Sequence, residues 1–75
     1  MTYSIFLKAM VKIKEIAEEN GIFTCDLVVR IRTTSGREIV ALFDEVDIID
    51  NEMLQIYADD TWKFLPYSNI ESVEI

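Results

Sequence analysis

From Tyr3 to Asn20 the apolar residues Phe6, Met10, Ile13 and Ala17 recur at spacings of four, three and four, and Tyr3, Ile5, Leu7 and Ile16 widen the stripe. This period predicts an amphipathic helix over residues 3–20, with Lys8, Lys12, Glu15 and Glu19 on the opposite face. Thr2 or Ser4 suits the N-cap, and Asn20-Gly21 supplies a left-handed stop. Acids in the last turn oppose the helix dipole, so packing of Ile16 and Ala17 is expected to hold that end.

After Gly21 the period changes to two. Leu27, Val29, Ile31 and Thr33 face one way, and Val28, Arg30, Arg32 and Thr34 the other, which predicts a strand over about residues 26–34. Ser35-Gly36 marks a tight turn, and residues 37–46 read as its antiparallel partner. There Ile39, Ala41 and Phe43 alternate with Glu38, Val40 and Leu42, so the second face is also partly apolar and is expected to pack on something, the helix being the candidate. An acid-rich corner follows over residues 44–51. Residues 53–58 form a third strand, Asp59-Asp60 a turn, residues 62–65 a fourth strand and residues 70–75 a fifth. The one proline, Pro66, sits where a strand ends. With no repeat or linker, residues 1–75 are expected to be a single mainly β domain: an N-terminal α-helix, then five strongly bent antiparallel strands closing a small barrel.

Composition narrows what such a domain does. A chain of 75 residues with 51% hydrophobic and 28% charged positions is globular, but its single core is small and needs a disulfide, a metal or a partner subunit. Cys25 is the only cysteine and histidine is absent, which removes an internal disulfide and the commonest zinc ligands and general bases. Association is what remains. Cys25 itself reads as a buried small hydrophobe. No glycine-rich cradle, nucleophile–base pair or ligand cluster is present, so the chain is read as no enzyme, without cofactor or metal; Asp44, Asp47, Asp50, Asp59 and Asp60 read as solvated turns. No stretch is long and apolar enough to span a membrane, Lys8, Lys12 and Lys14 lie among the first hydrophobics rather than ahead of them, and the lone thiol fits a reducing interior; a cytoplasmic location without membrane partners is expected.

The stretch Gly36-Arg37-Glu38-Ile39-Val40-Ala41-Leu42-Phe43-Asp44-Glu45-Val46-Asp47-Ile48-Ile49-Asp50-Asn51 resembles the first motif of the Sm/LSm family: a glycine turn, a basic-acidic pair, alternating apolar residues, an aspartate, an aspartate-hydrophobic pair and a closing asparagine. Val29-Arg30-Ile31 matches the family's first strand, and Leu65, Ile70 and Val73 are similar to the apolar skeleton of its second motif. Two departures stand out. Ala41 occupies the position of a glycine in the bent second strand, and Pro66-Tyr67 replaces the arginine-glycine whose arginine stacks on a bound base. Ile49 also sits where many RNA-binding members carry a stacking side chain, so only Asp47 and Asn51 remain of the uridine pocket.

The resemblance implies a homo-oligomeric ring of roughly five to eight subunits. It forms by pairing the fourth strand of one subunit with the fifth of the next, with Trp62, Phe64, Leu65, Ile70, Val73 and Ile75 at the interface. It also implies RNA or single-stranded nucleic-acid binding of weak or non-uridine character, through Asp47, Asn51 and Tyr67 as a substitute stacking surface. Lys8, Lys12, Arg30, Arg32, Arg37 and Lys63 are the candidate phosphate contacts, although Arg30 and Arg32 equally suit cross-strand pairing with Glu38. A net charge of −7 with only seven cations opposes phosphate binding unless those cations cluster. The alternative is an acidic small-barrel module for protein–protein interaction or structure, with no nucleic-acid binding.

Overall fold

The computed structural model describes residues 1–75. Helix α1 spans Tyr3–Glu19. The hydroxyl of Thr2 accepts the Ile5 backbone N–H at 3.3 Å, so Thr2 is the N-cap. At the other end Gly21 takes φ +70° and the Ile22 N–H reaches the Ala17 carbonyl at 2.9 Å, while the Asn20 side-chain amide donates to the Ile16 carbonyl at 2.7 Å. These bonds satisfy carbonyls that the acid-rich last turn leaves without a basic partner. Phe6, Met10, Ile13 and Ala17, the predicted stripe, are the buried residues of the helix; Ile16 is exposed.

Six strands follow: β1 (Val28–Thr33), β2 (Glu38–Leu42), β3 (Val46–Ile48), β4 (Met53–Ala58), β5 (Thr61–Pro66) and β6 (Ile70–Glu74). They form two three-stranded antiparallel sheets in the orders β2-β1-β6 and β3-β4-β5. The expected five-stranded closed barrel is therefore corrected in two ways. The second strand, expected over 37–46, breaks at a 3-10 turn over Phe43–Glu45 into β2 and β3. The cause lies in its partner: the β1–β2 ladder ends at Val28↔Leu42, because residues before Val28 coil into a 3-10 turn over Thr24–Asp26 instead of the expected strand start at 26. Without a ladder partner the chain bends and re-pairs, as β3, with β4. The second correction is that no ladder joins β5 to β6, so the sheets stay open along that side.

One core fills the space between the helix and the two sheets. It comprises Leu27, Val29 and Ile31 of the first hairpin arm, Ile39 and Ala41 of the second, Leu54, Ile56 and Ala58 of β4, Tyr67 of the turn after β5 and Ile70 of β6, with the four helix residues. Period-two alternation is obeyed without exception in β1 and β2. Val40 and Leu42, expected to pack on the helix through the second face of β2, are instead 49% and 39% exposed, because α1 covers the inner face only. Cys25, expected inside, is exposed, since the 3-10 turn carries it away from the core.

Candidate functional site

The expected site residues are dispersed over the fold. Lys8 and Lys12 stand on the exposed face of α1, where Lys12 pairs with Glu15 at 3.4 Å. Arg30 and Arg32 project from the outer face of the first sheet; Arg32 meets Glu38, its cross-strand neighbour, at 3.6 Å, while Arg30 has no ion-pair partner. Both ion pairs are solvent-exposed, so each contributes about 0–1 kcal/mol. Asp47 lies on β3, and Asn51 in the exposed loop before β4.

Arg37 and Lys63 are the pair of expected cations that the fold brings together. They line an open cleft of about 540 Å³ between the β1–β2 turn, the middle of β5 and Asn69. Phe64 also lines it, and no acid does. The turn is held firmly: the Thr33 hydroxyl accepts the Arg37 N–H at 3.2 Å and shares a hydrogen bond with the Ser35 hydroxyl at 2.9 Å, and Gly36 takes φ +87°. The Lys63 ammonium donates to the Ala58 carbonyl at 3.2 Å and to the Thr61 hydroxyl at 2.9 Å, which leaves it one donor. The Arg37 guanidinium makes no hydrogen bond or ion pair within the chain.

Tyr67 does not offer the stacking surface expected of it. It is 3% exposed, with its ring packed edge-on to Tyr3 at 5.4 Å and tilted against Phe6 at 5.3 Å. Its hydroxyl donates to the Asp50 carbonyl at 3.0 Å, and burial, followed by the proximity of Tyr3 and Asp50, pushes its pKa above the ordinary 10.0. The apolar skeleton drives this: a 3-10 turn over Tyr67–Asn69 swings the ring inward as β5 hands over to β6.

The expected interface residues also divide. Ile70 is fully buried in its own core and reaches no neighbour; Leu65 and Val73 are half-buried against that core. Trp62, Phe64 and Ile75 are large apolar side chains exposed at 55%, 54% and 55%. β5 has a ladder on one side only, as does β6.

Two contributors were not singled out from the sequence. Asp50, rather than Asn51, organises the corner, because its carboxylate accepts the Glu52 and Met53 N–H groups at 2.8 and 2.9 Å. Tyr57 packs at a tilt against Trp62, with ring centroids 4.8 Å apart. The two-residue Asp59-Asp60 turn was signal enough for that pair, since it sets Tyr57 opposite Trp62 in register.

The chain matches no protein-family model, no curated protein and no solved structure.

Proposed function

We propose that this chain is a non-catalytic, self-assembling module of Sm-like type, whose subunits join in a closed homo-oligomer by pairing β5 of one copy with β6 of the next. The observation that carries this reading is the open side of the fold: two neighbouring edge strands, unpaired with each other, with Trp62, Phe64 and Ile75 more than half exposed along them. The order of one helix before short antiparallel strands is in keeping with the Sm-like resemblance. Charge supports the pairing, because β6 carries Glu71 and Glu74 and the cleft beside β5 carries Arg37 and Lys63. Lys63, a residue type that blunts many free edges, here turns its ammonium back to Ala58 and Thr61 and leaves the edge open.

Sedimentation of the parent and of a Phe64→Lys variant tests the reading. Residue 64 is exposed, so the variant keeps its fold, judged by circular dichroism. The subunit count is expected to fall toward one in the variant, and equal counts for a folded variant and its parent would remove β5 from the interface.

A second reading, binding of RNA or single-stranded DNA, draws on the same cleft, where the free guanidinium of Arg37 and the exposed ring of Phe64 offer a phosphate contact and a stacking surface. The two readings compete for one place. An oligonucleotide titration at low salt that returns no affinity ends the second reading and leaves the first intact.

A further inference from the structure

We propose that the outward face of the β3-β4-β5 sheet is a docking surface for a segment of a partner protein in which lysines or arginines are interleaved with apolar residues. Register places Tyr57 beside Trp62, Gln55 beside Phe64, and Met53 beside Pro66 on this one face. Trp62, Phe64 and Met53 are 55%, 54% and 37% exposed, which makes the face an apolar, largely aromatic ledge.

Charge decides what such a ledge accepts. No lysine or arginine stands on it: Lys63, the one cation of the sheet, alternates to the other side. Asp47 lies in the same cross-strand row as Gln55 and Phe64, and Asp59 and Asp60 close the Tyr57–Trp62 end. All three acids are exposed and none is engaged in an ion pair. Aromatic faces attract cations through their negative quadrupole, and the three carboxylates add to that field. At the Tyr57–Trp62 end, which does not line the Arg37–Lys63 cleft, a phosphate chain or an anionic membrane meets the same field as repulsion. Lysine and arginine suit the surface twice, since their aliphatic stems lie along apolar groups while their heads reach the acidic rim. Trp62 and Phe64 also flank the β5 edge assigned above to self-assembly, but strand pairing there uses the backbone edge and docking uses the side-chain face, so one does not exclude the other.

Trp62 is the only tryptophan and stands in the end row of the proposed contact, beside the Asp59-Asp60 turn, so its fluorescence is a native reporter. The experiment titrates the full chain at low salt with a synthetic peptide of alternating arginine and leucine, with a glutamate–leucine counterpart and with a single-stranded oligonucleotide. The arginine peptide is expected to give a saturable change in emission that weakens with salt, and the glutamate peptide none. The double variant Asp59→Asn, Asp60→Asn retains the turn, because asparagine also accepts the positive φ of 53° and 59° found there. It is expected to raise Kd about two- to thirtyfold, the range of two exposed ion pairs. Glu18→Gln, Glu19→Gln makes the same charge change on the helix and is expected to leave Kd unchanged, as both double variants leave the subunit count. No saturable response, an equal response to the glutamate peptide or to an oligonucleotide, or equal loss in both double variants would overturn the proposal.

Discussion

Replacing Tyr67 by phenylalanine tests how the hinge between β5 and β6 is held. The ring keeps its packing against Tyr3 and Phe6 in this variant, so the change isolates one hydrogen bond, from the hydroxyl to the Asp50 carbonyl at 3.0 Å. Such a bond contributes about 1 kcal/mol net, and the orphaned carbonyl belongs to an exposed residue that water can reach, which keeps the cost near that figure. For a domain of this size, about 1 kcal/mol lowers Tm by about 4–8 °C. The pH dependence has a definite sign. The folded-state pKa of Tyr67 is raised, so the fold binds its proton more tightly than the unfolded chain does. Its contribution is therefore fully present below the unfolded value, about 10, and is lost as pH rises from there through the folded value. Thermal melts by circular dichroism at one protein concentration, at pH 7 and at pH 11, should show the parent above the variant at pH 7 and the gap narrowed at pH 11. A variant as stable as the parent at pH 7, or a gap that widens at pH 11, would refute the reasoning.

Four further substitutions probe the fold. Phe6→Ala empties the fully buried centre under Tyr67 and should cost about 3–5 kcal/mol, enough to abolish a cooperative melt in a chain with a core this small. Gly36→Ala forces a side chain into φ +87° where no neighbour obstructs it, so backbone strain alone should lower stability by about 1–2 kcal/mol in urea titration. Asp50→Ala removes the acceptor for two loop N–H groups and should cost about 1–2 kcal/mol by the same titration, whereas Asn51→Ala, at an exposed position with no hydrogen bond, should change stability by less than about 0.5 kcal/mol.

The helix and the first hairpin were legible because burial there follows one period at a time. Phe6, Met10, Ile13 and Ala17 lie one helical turn apart, and Val29, Ile31 and Thr33 alternate cleanly. The break at Phe43 was hidden, since Ile39-Val40-Ala41-Leu42-Phe43 continues the strand pattern without a glycine or proline to mark the bend. What ends β2 is the loss of its partner at Val28, a tertiary fact that no local pattern carries. Tyr67 and Cys25 went astray for a related reason: each sits in a short 3-10 turn, where three residues give no period from which to read inside and outside. Of the expected cations, Arg37 and Lys63 are far apart in sequence, so their shared cleft depended on the arrangement of the sheets.

Self-assembly through the open side is the central claim, and the mass of the native chain in solution, by light scattering over a range of concentrations, tests it most directly. The account predicts one defined species of roughly five to eight subunits that persists on dilution, as a closed cyclic assembly does. A mass of 8.7 kDa at every concentration, the value of a single chain, would contradict it.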